Sequence, residues 1–177
     1  MAAPGQLFGR LAAMLRRQRE QVSQVVAEAQ EALADFATHE PPLRELRGIG
    51  AILHDFYTGL EHMFEAIAPE LDGGLPAGPS WHRNLLENMT LDIPGVRPPL
   101  LRRETAHVLG EFLRFRHLFR NLYGFELEWS RVQGLLKALP AAWNVVEADI
   151  DRFLAFLDTV AVGGPGWQGE SRPTDRG

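Results

Sequence analysis

Residues 116–123 hold Arg116, His117, Arg120, Asn121 and Tyr123, five hydrogen-bonding side chains within eight positions. Two guanidinium groups can clamp a phosphate through paired, charge-assisted bonds. An imidazole can move a proton near neutral pH. An amide and a phenol can orient a substrate. Together they would suit phosphodiester cleavage without metal. A base would take the proton of a 2′-hydroxyl while arginines stabilise the charge developing on phosphorus oxygens. The same groups would equally hold a nucleotide and leave it unchanged. The plain alternative is a solvated helix face, with Arg116 and Arg120 paired to Glu111, Glu126 or Glu128.

One helix must position these groups. On a wheel of about 100° per residue, Val108, Phe112, Phe115, Phe119 and Leu122 share a broad face that is expected in the core. Arg116, Arg120 and Tyr123 fall together beside that face. His117 and Asn121 lie one turn apart on the next strip, with Gly110 beneath them leaving room for a ligand or a partner helix. The helix is expected over 101–123, stopping near Gly124.

Punctuation divides the rest of the chain. Leu7, Leu11, Met14, Leu15, Val22, Val26, Ala29 and Leu33 recur at helical spacing, predicting a long amphipathic helix over 6–38, ended by Pro41-Pro42. A second helix over 43–70 carries Leu46, Ile49, Leu53, Phe56, Tyr57, Leu60, Phe64 and Ile67 on its buried stripe. Gly48, Gly50 and Gly59 weaken its propensity and imply close packing against a neighbour. Ser80 is expected to cap a short helix to Thr90. Loops rich in Gly and Pro occupy 72–79 and 92–99. Ser130 is expected to cap another short helix to Lys137, and Pro140 to open a final helix to Val160. There is no convincing period-2 strand and no repeat. The fold class expected is all-α, an up-and-down bundle of four to five helices. Its organisation would be an N-terminal long helix in 1–42 packing on the bundle, a helical domain over 43–161, and a polar, flexible tail over 162–177.

Composition limits the function classes. The 177 residues include no cysteine, which excludes disulfides, thiolate zinc sites and a cysteine nucleophile. Arg10, Arg16 and Arg17 interrupt the apolar residues near the N-terminus, so no signal peptide is expected. No stretch reaches the roughly 18 apolar residues of a membrane span, and a cytoplasmic location is expected. With 18 Lys+Arg against 23 Asp+Glu the net charge is −5, unlike a protein that coats duplex nucleic acid. RNA contact would need a local patch. Arg102, Arg103, Arg114, Arg116 and Arg120 supply one, opposed in that stretch only by Glu104 and Glu111. Lys137 is the one lysine. That bias suits planar recognition of phosphate but also follows from a GC-rich coding sequence.

Other clusters are weaker. His54, Glu61 and His62 could share a face of the second helix, yet no Glu-x-x-His pair recurs across helices, and no metal site is expected. Asp55 would instead accept bonds from an arginine of the fourth helix. Trp81-His82-Arg83 could stack a base, though such a tryptophan more often closes the end of a bundle. His39 and His107 are assigned no role. Walker, Rossmann, zincin and nucleophile-elbow motifs are absent.

The run Phe115-Arg116-His117-Leu118-Phe119-Arg120-Asn121-Leu122-Tyr123-Gly124 resembles the signature of HEPN domains, specifically of HepT-like proteins. Leu53-His54-Asp55-Phe56-Tyr57-Thr58-Gly59-Leu60-Glu61, Gly73-Gly74-Leu75-Pro76 and Trp81-His82 extend the likeness over about residues 45–160. The resemblance implies a helical homodimer acting as the toxin of a HepT–MntA type toxin–antitoxin system. It would be a metal-independent endoribonuclease without cofactor, its partners RNA and an MntA-like nucleotidyltransferase antitoxin. Arg116, His117 and Asn121 would be its catalytic residues, Arg114 and Arg120 its phosphate-binding residues. Tyr123 would be the tyrosine that the antitoxin AMPylates. Pairing of two copies would bring both 116–123 segments to one cleft. The chain departs from the pattern at Asn121, which stands where a histidine is expected and cannot act as a general base at pH 7. Either His117 serves instead, or the chain is a noncatalytic HEPN module that binds a nucleotidyltransferase and its nucleotide substrate. A plain helical dimer used for assembly is the remaining reading.

Overall fold

A computed structural model describes residues 4–121 and 127–163. They form five helices: α1 (Pro4–Asp35), α2 (Leu43–Leu71), α3 (Trp81–Asn88), α4 (Arg103–Arg120) and α5 (Trp129–Ala161). The described residues contain no strand, only an isolated bridge between Ile93 and Arg97. None of the helices is long and apolar enough to cross a membrane.

The long helices α1, α2 and α5 pack together, and α4 lies against α2 and α5. The short α3 bridges α2 and α4. Phe8, Leu11, Leu15 and Val22 of α1 join the same core as Leu53, Phe56, Leu60 and Phe64 of α2. Phe112 and Phe115 of α4 and Val146, Ile150, Phe153 and Leu157 of α5 complete it. The period-3.6 apolar pattern thus closes into one hydrophobic interior.

The α5 helix corrects the expected break at Pro140. Its 33 residues run continuously, with Pro140 inside and Ser130 in the first turn rather than at the cap. A proline in a helix interior costs about 3 kcal/mol through a lost donor and a clash with the preceding turn. Val132, Leu136 and Leu139 before it, and Ala142, Trp143 and Val146 after it, are all buried. Each large apolar side chain is worth roughly 1.5–3 kcal/mol on burial, so tertiary packing outweighs the local penalty. Ser80 precedes α3 as expected, but its side chain makes no capping bond; the Asn84 N–H donates to the Ser80 carbonyl instead.

Two of the three glycines of α2 serve close packing. A Cβ at Gly59 would stand 2.6 Å from Val22 Cγ2 of α1. One at Gly50 would stand 2.6 Å from the Phe119 ring of α4. A Cβ at Gly48 would meet nothing within 4 Å, so close approach gives no reason for that glycine.

The segment that places α3 beside α4 is pinned by a buried arginine. Arg97 donates through Nε and Nη2 to the two Asp72 carboxylate oxygens, at 2.6 and 2.8 Å. Its remaining donors reach the carbonyls of Asn88, Leu91 and Pro98. Buried Asp149 of α5 anchors the start of α4. It accepts the Arg102 backbone N–H at 2.9 Å and the Arg102 and Arg152 side chains at 2.7 and 2.8 Å. Burial alone would raise the Asp149 carboxyl, but the Arg102 N–H, the Thr105 hydroxyl and Arg152 outweigh it and hold it below the usual carboxylate range.

Candidate functional site

The buried stripe of α4 runs through Thr105, Leu109, Phe112, Leu113, Phe115 and Arg116. Val108, expected in the core, is 38% exposed. The inward face is therefore turned by less than the roughly 100° of one residue, since Phe112 and Phe115 stay within it. Leu109 takes the place of Val108, and the same turn brings Arg116 inward. Phe115 is buried as expected and Phe119 is partly buried. Leu122, Tyr123 and Gly124 lie outside the described residues.

Arg116 is only 7% exposed, and its partner is none of the three acids expected. Its Nη2 lies 2.6 Å from Glu61 Oε2 of α2. Glu61 Oε1 in turn lies 2.5 Å from His82 Nδ1 of α3. One buried carboxylate thus joins three helices. A carboxylate only accepts hydrogen bonds, so His82 Nδ1 is the donor in this pair. Nε and Nη1 of Arg116 and the Tyr57 hydroxyl are buried without a hydrogen-bond partner among the described residues. Burial, and then the Glu61 charge, push the Tyr57 phenol far above its ordinary range, so it stays protonated.

A groove of about 680 Å³ opens beside this network, between α3 and α4. His82, Arg83, Arg103, His107, Arg114 and His117 are among its lining residues. Gly110 also lines it, and a Cβ there would meet nothing within 4 Å, in keeping with the room expected at that position. Arg114 is exposed and pairs with Glu111 on its own helix, while Arg83 pairs with Glu87 at 3.1 Å. Arg103 makes no ion pair among the described residues.

His117 sits at the groove edge, its ring centroid 5.2 Å from that of His82 and nearly perpendicular to it. Burial of the ring, then the His82 and Arg116 charges, lower its pKa from the ordinary 6.5. Glu61 opposes the shift and Arg120 adds a little to it. His117 is thereby kept neutral near pH 7 and can accept a proton.

The expected site residues therefore divide. His117 and Arg114 reach the groove, Arg116 lies behind it against Glu61, and Arg120 and Asn121 are exposed outside its lining. Asn121 Nδ2 donates to the His117 carbonyl at 2.9 Å, folding the amide back onto the helix end.

The triplet considered for a metal is dispersed. Glu61 points inward to His82 and Arg116, and His54 bonds Asp55 at 3.1 Å. Asp55 therefore meets its neighbour, not an arginine of α4. His62 borders a separate small cavity with Asp55 and Thr58. The described residues contain no group of three or more His, Asp or Glu able to hold a metal ion.

A family model described as HepT-like protein matches residues 48–157. The chain belongs to the HepT-like family. The matched part of this HepT-like chain spans every residue of the Glu61–Arg116–His82 network and of the groove. No curated protein and no solved structure matches it.

The sequence places Glu61 in a candidate metal triplet, Arg103 in a basic patch and Trp81-His82 in packing or base stacking, gives His107 no role, and does not reveal that Glu61, His82 and Arg116 meet. One signal was present. Tyr57, Glu61 and Phe64 follow one another at helical spacing on the apolar stripe of α2. An acid on such a stripe requires a cationic or hydrogen-bonding partner inside the fold.

Proposed function

We propose that this HEPN-type chain is the toxin of a HepT–MntA type toxin–antitoxin system and a metal-independent endoribonuclease. The observation that carries the reading is His117, an imidazole with a lowered pKa on a groove that Arg103 and Arg114 also line. His117 takes the proton of an RNA 2′-hydroxyl. Arg114, with Arg120 nearby on the same helix, attracts the phosphate and stabilises its developing charge. Arg116 acts from behind the groove, where its charge helps keep His117 neutral. Asn121 holds the end of the helix under His117.

The partner in this reading is an MntA-like nucleotidyltransferase antitoxin that transfers AMP to Tyr123, a residue outside the described ones. Two copies pair as a cytoplasmic homodimer through the α4 side. Family membership supports both assignments, and Val108 and Leu118 leave apolar surface on α4 for such pairing.

The test is purified chain, free of antitoxin, incubated with RNA in EDTA. Cleavage lost in His117→Ala supports the reading, and intact RNA across varied substrates refutes it. One observation favours a second reading, a noncatalytic module that binds a nucleotidyltransferase and its nucleotide. Asn121 replaces the motif histidine, and its amide is tied to the backbone. That reading predicts nucleotide binding with no cleavage.

A further inference from the structure

Proton-transfer cleavage of a phosphodiester needs one group to remove a proton and another to supply one. Asn121 can do neither. The groove nevertheless holds a second imidazole, delivered by another helix. His82 of α3 is buried between the Trp81 ring, whose centroid is 3.6 Å away, and the His117 ring at 5.2 Å, and it is one of the residues lining the groove. Its Nδ1 is committed to Glu61 at 2.5 Å, which leaves Nε2 as the nitrogen able to exchange a proton. Glu61 is itself held on its other oxygen by Arg116, so it fixes both the tautomer and the orientation of the ring. A carboxylate behind an imidazole also stabilises the imidazolium form during proton transfer.

We propose that His82 and His117 form an acid–base pair for RNA cleavage, with Glu61 as the positioning residue of His82. This rests on the ribonuclease reading above. His117 removes the proton from the 2′-hydroxyl, and the 2′-oxygen forms a bond to phosphorus. The bond from phosphorus to the 5′-oxygen breaks, and protonated His82 gives its Nε2 proton to that leaving oxygen. The products are a 2′,3′-cyclic phosphate and a free 5′-hydroxyl. Protons exchanged with water return His117 to its neutral form and His82 to its charged form. No oxidant, metal or co-substrate enters the balance. Two neighbouring imidazoles on one groove can serve the entering and leaving oxygens of a single phosphodiester, which lie roughly in line across phosphorus. Glu61 of α2 and Arg116 and Arg120 of α4 act on His117, and Arg83 and Glu87 of α3 with Arg103, His107 and Arg114 of α4 line the same groove.

The experiment measures cleavage of a short single-stranded RNA in EDTA across pH for the full chain and for His117→Gln, His82→Gln and Glu61→Gln. The wild-type rate should follow a bell. His117→Gln should lose the acidic limb and His82→Gln the alkaline limb, each with kcat lower by about 10²–10⁴-fold. Glu61→Gln should lower kcat with little change in KM. Intact RNA with the wild type overturns the ribonuclease reading and the pair together. Wild-type cleavage matched by His82→Gln overturns the pair alone. If His82→Gln fails to fold, the histidine resonances of the wild type decide, with uridine 3′-monophosphate as the probe. Shifts of both His82 and His117 support the pair, and a shift of His117 alone overturns it.

Discussion

Arg97 and Arg116 are both buried and both face a carboxylate from α2 or its C-terminal cap, yet they are held differently. Arg97 has each of its donor groups engaged, making five hydrogen bonds to Asp72 and three carbonyls. Arg116 meets one carboxylate oxygen through Nη2, while its Nε and Nη1 find no partner among the described residues. Complete satisfaction is what a buried charge needs when it only ties a loop to a helix. Incomplete satisfaction costs stability, and here it occurs beside the groove and the neutral imidazole. The difference separates an arginine that fixes the fold from one that tunes a site.

The largest expected effect breaks the first of these. Arg97→Ala leaves Asp72 buried without its cation and should cost roughly 3–5 kcal/mol, read from urea denaturation. Cleavage per folded molecule should change little. Arg116→Met should cost less, about 1–3 kcal/mol, because Glu61 keeps His82. Its functional effect should be the greater one. Removing that cation raises the His117 pKa toward its ordinary value, so the acidic limb of the rate profile moves to higher pH. His117 should still titrate below 6.5, since burial is the larger cause of its shift.

Asp149 sharpens the comparison as a buried acid that is fully engaged. Its folded pKa lies below the unfolded value, so it contributes stability above the unfolded carboxyl range. That contribution is lost as pH falls through the folded value. Asp149→Asn should lower stability at pH 7 by about 1–3 kcal/mol and flatten the acid side of the stability profile, followed by thermal melts between neutral and acidic pH. The smallest effect belongs to Arg114→Ala. Its exposed pair with Glu111 is worth less than about 0.5 kcal/mol, so melting should hold steady while RNA affinity falls and depends less on salt.

Helix positions were legible wherever the signal was local. The apolar period and the Pro- and Gly-rich loops placed α2 and α3 to within a residue or two, because such signals act over one or two turns. The continuity of α5 was not legible. It depends on core contacts on both sides of Pro140, which no local rule contains. The site was read in part. The candidacy of His117 and of the α4 cations follows from residue type and spacing. The inward turn of Arg116 did not, since Glu61 and His82 come from other helices. The wheel favours Val108 over Leu109 for the core, and a turn of less than one residue decides whether Arg116 faces solvent or the interior.

The most direct measurement is the chemistry of RNA ends left by the antitoxin-free chain when divalent ions are chelated. The account predicts new 2′,3′-cyclic phosphates in the wild type and their disappearance when His117 becomes alanine in a folded variant. Cleavage undiminished in that variant, or fragments with other ends, would contradict it.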